Sequence, residues 1–161
     1  MMKRVVKFGF GLIMILLALN AKAQYQLKED ITADQATLIL KAAEQLAKKE
    51  NIVVNIAVVD AGANLKAFLR MDGSYLGSID VSIKKAKTAR YFNTPTGEIG
   101  KIAQPGQDIY NIEHSNDGLI TFPGGVPIKD KNGMIIGAIG ISGGTIHQDH
   151  QIAAEAAKAI L

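Results

Sequence analysis

The sequence contains no cysteine and no tryptophan, and it contains only three histidines. The absence of cysteine excludes disulfides, thiolate metal sites, a cysteine nucleophile and thioether-linked cofactors. With three histidines, a zinc site built on imidazoles would have to use nearly all of them. We therefore expect the fold to be held together by its apolar core alone, with an oligomer interface as a further source of stability.

A basic segment followed by an apolar run opens the chain. Three basic residues lie among the first seven, residues 8–19 are apolar, and Ala21 and Ala23 form an Ala-x-Ala cleavage pattern. This arrangement is typical of a secretory signal peptide. About 12 apolar residues are too few to span a membrane, so no stable anchor is expected after cleavage. We predict a signal peptide over residues 1–23, a single domain over residues 24–161, and a periplasmic or secreted location.

Cleavage at this point changes the charge balance of the protein. The whole chain carries 18 basic and 15 acidic residues. Four of the basic residues lie in the predicted leader, which leaves 14 against 15 in the mature chain. A nearly neutral domain lacks the basic surface that binds phosphate backbones, so a nucleic-acid partner is not expected.

Local patterns in the mature chain predict a mixed fold. Thr32 and Gln35 have the spacing of a capping box at the start of a helix. The β-branched run 52–59 predicts a strand buried on both faces. The predicted elements are a helix over 32–50, strands over 52–59 and 64–69, a helix over 77–92, short helices within 94–113, strands over 119–122, 126–128 and 134–141, and a helix over 148–161. This order predicts an α+β domain with a five-stranded, largely antiparallel sheet and helices on both faces.

The glycine-rich stretch 118–145 is the most informative part of the chain. Asn132-Gly133 between two apolar runs predicts a tight hairpin turn, because both residues tolerate positive φ. Four glycines lie between positions 137 and 144. Such a strand end carries little side chain, so either a helix packs closely on it or another group approaches its backbone.

One segment of this stretch matches a catalytic motif. Residues 140–144 read Gly-Ile-Ser-Gly-Gly, the Gly-x-Ser-x-Gly pattern of a nucleophile elbow. The acid and histidine that a hydrolase needs downstream are limited to His147, Asp149 and His150, all within eight residues of Ser142. These residues cannot easily line up behind one another as base and orienting acid. We predict no catalytic residue, and whether the protein is an enzyme stays open at this stage.

The histidines are the candidate ligands for a metal. His147 and His150 are three apart and share a helix face, with Asp149 between them, so they form a candidate metal site. The alternative is a solvated helix start, in which Asp149 only complements the helix dipole. His114 lies in a polar loop just before an apolar run, and its imidazole is a candidate ligand for an iron or another metal.

Basic and aromatic residues supply the other binding candidates. Lys85 belongs to a basic helical run from Lys84 to Arg90, which is either a solvated face or an anion-binding face. Arg70 ends a predicted strand, and Phe92 and Phe122 are aromatic residues beside glycines that could wall a flat apolar pocket. The alternative for these aromatic residues is ordinary core packing.

Taken together, the motifs resemble a known family. The segments VVDAG, RMDG, FPGGVP and GAIGISGGT occur in this order across nearly the whole mature chain. In this combination they are similar to the GlcG/HbpS family, a haem-binding or haem-degrading domain that also forms the C-terminal part of PduO-type corrinoid adenosyltransferases. The resemblance implies a profilin-like three-layer α/β/α fold, which agrees with the derived element order, and it implies homo-oligomers.

The resemblance also implies a ligand. Members of the family bind haem or other tetrapyrroles, so an exported haem-binding protein is expected, with sensing, scavenging or degradation as its roles. His114, Phe92, Phe122, Arg70 and Lys85 are the cofactor-binding candidates, with His114 first because it lies beside the FPGG segment. Two alternatives stay open: a non-catalytic oligomeric interaction module, and an enzyme or binder of a small organic acid held by Arg70 or Lys85.

Overall fold

The computed structural model describes residues 30–161. The predicted signal peptide, residues 1–23, lies outside the described residues. The helices are α1 (Ala33–Lys49), α2 (Gly77–Phe92), α3 (Thr96–Ile102) and α4 (Ile146–Ala156), with a short 3-10 helix at Ile112–His114. The strands are β1 (Asn55–Asp60), β2 (Leu65–Arg70), β3 (Gly125–Lys129) and β4 (Ile135–Ser142). Within residues 30–161, no helix has the length and apolar character needed to cross a membrane.

The described residues form one antiparallel sheet with the strand order β2-β1-β4-β3. The mixed α+β class and the antiparallel sheet are therefore confirmed, and so is the hairpin turn at Asn132-Gly133, where Gly133 has φ 82. Asp130 fixes this turn by accepting hydrogen bonds from the Asn132 and Met134 amides at 2.8 and 2.9 Å.

The prediction of five strands is wrong, because the sheet has four. Residues 119–122 are apolar enough for a strand, but their backbone groups form hydrogen bonds with helix side chains and not with a neighbouring strand. The Ile120 amide donates to the Thr88 hydroxyl at 3.1 Å, and the Phe122 carbonyl accepts from the Thr96 hydroxyl at 2.8 Å. Helix side chains thus satisfy the polar groups that a neighbouring strand would otherwise have paired.

The helix boundaries follow local capping. Thr32 and Gln35 form the predicted capping box at the start of α1. A second box, Thr145 with Gln148, starts α4 two residues before the predicted position. The predicted helix over 148–161 is therefore wrong at both ends, since α4 spans Ile146–Ala156.

The apolar core falls into two clusters, one on each face of the sheet. Ile56 and Val58 of β1 belong to a cluster with α1 and α4, whereas Ala57 and Val59 belong to a cluster with α2. Consecutive strand residues point to opposite faces, so β1 is buried on both sides as predicted. The α2 side contains mostly small residues, so this helix can pack closely against the strands.

Gly140 shows how close this helix lies. A Cβ at this position would lie 2.6 Å from the Ala86 amide nitrogen and would overlap the Ser82 carbonyl oxygen. At Gly140, the first of the two explanations for the glycine-rich strand is therefore correct: a helix packs against it. The close approach brings the α2 side chains to the end of β4, where the candidate site lies.

Candidate functional site

A buried ion pair connects α2 with the start of α4. The Lys85 ammonium lies 2.8 Å from Asp149 Oδ2 and donates a second hydrogen bond to the Ile141 carbonyl at 2.9 Å. The two side chains are 0% and 4% exposed. The solvated-face alternative for the basic helical run is therefore wrong for Lys85, although neighbouring Lys84 does pair with Asp80 at the surface.

The second carboxylate oxygen of Asp149 binds the glycine turn before α4. It accepts a hydrogen bond from the Gly144 amide at 3.0 Å. Burial raises the pKa of Asp149, and the charge of Lys85 and its hydrogen bond oppose this rise. Burial likewise lowers the pKa of Lys85, against the charge of Asp149. Each charge is thus tolerated in the interior only because the other one faces it.

The segment Phe122–Gly124 covers the other side of the Lys85 ammonium. The ring centroid of Phe122 lies 4.8 Å from Nζ, within the range of a cation–π contact. Gly124 has φ 128, and a Cβ there would lie 2.6 Å from Nζ. A side chain at this position would therefore displace the lysine, so glycine is required both by the backbone angle and by the space.

Next to this pair lies a pocket of about 330 Å³, here called the histidine pocket. It is lined by Pro95, Gly97, Glu98, Lys101, Pro123, His147 and His150. Helix α4 supplies the two histidines, and Pro123 belongs to the segment that covers Lys85. Gly97 lets α3 reach this segment, because a Cβ there would lie 2.9 Å from Pro123 Cγ.

The two α4 histidines therefore meet in one pocket, as their spacing predicts. His150 Nδ1 is buried and has no hydrogen-bond partner within residues 30–161. Asp149 does not join them, because its carboxylate binds Lys85 and Gly144. Across residues 30–161 no three histidine, aspartate or glutamate side chains are grouped to hold a metal. A metal site on these two histidines stays a prediction.

The remaining sequence candidates lie elsewhere or play different roles. His114 is exposed on the 3-10 helix, while neighbouring Glu113 accepts a hydrogen bond from the Thr121 hydroxyl at 2.6 Å. Arg70 lines a separate pocket of about 470 Å³ with Lys48 and Asp72. Phe92 ends α2 and is 39% exposed. The structure brings Lys85 and Phe122 together, but it does not bring Arg70 into the histidine pocket.

Sequence reasoning missed the role of Asp149 as the partner of Lys85, and it missed the α3 wall of the pocket. A signal for the first was present in α2. Ser82, Lys85, Ala86 and Ala89 recur at helical spacing and form the buried stripe. A lysine within a stripe of small residues, opposite a glycine-rich strand, indicates a buried cation that needs a carboxylate.

Comparison with known proteins identifies the family. The family model described as "Haem degrading protein HbpS-like" matches residues 31–158. The chain belongs to this family, as the motif resemblance predicted.

Individual relatives agree with the family assignment. An uncharacterised 15.0 kDa protein of Citrobacter freundii is 39% identical over 76% of this chain and 87% of its own length. Corrinoid adenosyltransferase PduO of Salmonella typhimurium is 36% identical over 76% of this chain, but the match spans only 36% of that protein. A solved structure described as a PduOC:heme complex has a TM-score of 0.76 and 33% identity, covering 81% of this chain and 95% of the other.

Proposed function

We propose that this HbpS-like protein binds haem or a closely related tetrapyrrole at the histidine pocket. The observation that carries the proposal is the convergence of His147 and His150 of α4 on one pocket with the Pro123 wall. The family description and the haem complex of a relative support the choice of ligand. Bound haem would supply iron redox chemistry, and the chain itself would supply binding and orientation.

The residues of the pocket fit such a ligand. Imidazole is a common axial ligand of haem iron, and His147 and His150 both line the pocket. Pro95 and Pro123 offer apolar surface to a macrocycle. At about 330 Å³ the pocket lies at the small end of the range for ligand sites, so it would cover only part of a tetrapyrrole. The uncovered part is consistent with the homo-oligomer that the resemblance implies.

The two lysines near the pocket, Lys101 and Lys85, differ in their exposure to solvent. Lys101 lies at the pocket wall and is 69% exposed, so it is placed to meet a propionate. Its present partner is Glu98. An exposed ion pair of this kind contributes little stability, so Lys101 can leave Glu98 and bind a propionate instead. Lys85 is buried and paired, so we assign it no direct contact with the ligand. Half-exposed Phe122 extends the apolar surface beside Pro123.

A hemin titration followed by Soret absorbance tests this proposal, with the protein beginning at Gln24. The wild-type protein is expected to give a saturable, shifted band. His150→Ala is expected to weaken binding at least about tenfold and to shift the band, because this variant lacks a histidine that would hold the iron. His147→Ala reports whether the second pocket histidine also ligates.

His114→Ala is the matched control, since His114 is exposed on the 3-10 helix. It is expected to bind hemin as the wild type does. Loss of the band in His114→Ala alone would instead restore the ligand first favoured by the sequence. If the absorbance of the wild-type protein rises without a defined band and without saturation, haem binding is wrong. The two alternatives, a small-acid binder and an oligomeric interaction module, would then remain.

We also propose that the protein is exported and acts in the periplasm or outside the cell, in haem sensing, scavenging or degradation. The basic, apolar and Ala-x-Ala segments of residues 1–23 support this location. N-terminal sequencing of protein recovered from the periplasm or medium is expected to begin at Gln24. Recovery of the full-length chain from the cytoplasm alone would contradict export.

A further inference from the structure

Lys85 contacts both walls of the histidine pocket on the side that faces the protein interior. One wall is the first turn of α4, which carries His147 and His150. The other is the segment Phe122–Gly124, which includes Pro123. Both walls meet at the buried Lys85 ammonium.

The α4 wall is attached through Asp149. This residue lies between the two histidines in the first turn, so any movement of its backbone moves both imidazoles. Its carboxylate binds Lys85 at 2.8 Å and the Gly144 amide at 3.0 Å. The start of α4 is therefore fixed to α2 through one buried ion pair.

The opposite wall is attached through packing. The Phe122 ring lies 4.8 Å from the Lys85 ammonium. Gly124 lies so close to the same ammonium that a side chain at this position would not fit. The Ile141 carbonyl that accepts from Lys85 also lies beside Gly124, since a Cβ there would be 2.7 Å from that oxygen. The Ile141 amide in turn donates to the Gly124 carbonyl at 2.9 Å. One ammonium group thus lies at the junction of β4, α4 and the proline wall.

We propose that Lys85 and Asp149 are positioning residues that set the separation of the two walls, and hence the placement of His147 and His150 toward the ligand. The identity of the ligand rests on the proposed function, whereas the positioning rests on geometry alone. Neither side chain contacts the ligand, because both are buried behind the wall.

The histidine ring signals of the ligand-free protein test the positioning directly. Asp149→Asn keeps the size of the side chain and an acceptor for Gly144, but it removes the charge that binds Lys85. The ring proton and carbon shifts of His147 and His150 are expected to move, while those of exposed His114 serve as an internal reference and stay. The double variant Lys85→Met/Asp149→Asn removes both charges and is expected to move the same two signals.

The matched control is Lys84→Met/Asp80→Asn, which removes an ion pair from the same helix at side chains that are 33% and 66% exposed. It is expected to leave all three histidine signals unchanged. Hemin titrations of the same proteins are expected to show at least about tenfold weaker binding and a shifted Soret band in both Asp149 variants only.

The outcomes separate the two proposals. Unchanged histidine shifts in folded Asp149→Asn and in the double variant would overturn the positioning role, whatever hemin does. If the histidine shifts move in the variants but the wild-type protein does not bind hemin, the positioning role is supported and the proposed ligand is wrong. A lower melting temperature without any change in the histidine signals would show a purely structural ion pair and would also overturn the inference.

Discussion

Replacing Lys85 by methionine is expected to lower the free energy of unfolding by about 3–5 kcal/mol, the usual cost of removing one partner of a buried ion pair. The substitution leaves the Asp149 carboxylate 4% exposed and facing methionine carbons. Burial already raises the pKa of Asp149, and the Lys85 charge is what opposes that rise. Without it, the carboxyl group must be buried uncompensated or take up a proton, and both cost stability.

Urea unfolding monitored by circular dichroism measures this cost. Lys84→Met is the control one residue away, and it is expected to change stability by less than about 1 kcal/mol because its pair with Asp80 is exposed. Lys85→Met/Asp149→Asn is expected to recover part of the loss, since no unpaired charge is left inside. Equal effects of Lys85→Met and Lys84→Met would show that the buried pair contributes nothing to stability.

The features that the sequence predicts well depend on residues close together in the chain. Thr32 and Gln35 of the capping box are three positions apart, and the turn at Asn132-Gly133 depends on the positive φ that Gly133 adopts. The β-branched run before Asp60 predicts a strand buried on both faces, and β1 is so buried. In each case the decisive contacts are local, or they follow from the pattern of a single segment.

Strand membership depends on neighbours, and this is why the strand count is wrong. Residues 119–122 have a sequence that suits a strand. Whether they join the sheet depends on what their amides and carbonyls meet, and here they meet Thr88 and Thr96. These threonines lie in or beside two other helices, and no pattern within residues 119–122 indicates them.

The site was only partly predictable for a similar reason. The spacing of His147 and His150 places them on one face, and they do line one pocket. The ion pair beside them joins residues that are 64 positions apart. No spacing rule covers such a distance. The glycine-rich strand indicates that a helix or another group approaches it closely, but it does not indicate which side chain fills the remaining space.

That close packing provides the second prediction with a large effect. Gly140→Ala is expected to destabilise the protein by about 3 kcal/mol, at the upper end of the cost of overpacking. The new methyl group would lie 2.6 Å from the Ala86 amide nitrogen and would overlap the Ser82 carbonyl. Both neighbours are backbone atoms of α2, so they cannot rotate away, and the helix must shift.

Gly77→Ala is the matched control, because a Cβ at Gly77 meets nothing within 4 Å at the start of the same helix. Its effect on urea unfolding is expected to stay below about 1 kcal/mol, since alanine has the better helix propensity. An equally small effect of Gly140→Ala would contradict the close approach of α2 to β4.

The shift of α2 has a further consequence that a double-mutant cycle measures. Gly140 precedes Ile141, whose carbonyl accepts from Lys85, so a helix lifted at Gly140 carries the ammonium away from that carbonyl and from Asp149. Once the pair is already loosened, removing Lys85 costs less. The combined loss of stability in Gly140→Ala/Lys85→Met is therefore expected to fall short of the sum of the single losses by about 1 kcal/mol or more. Strict additivity would mean that the close packing and the ion pair are independent, and that the glycine does not serve to bring Lys85 to Asp149.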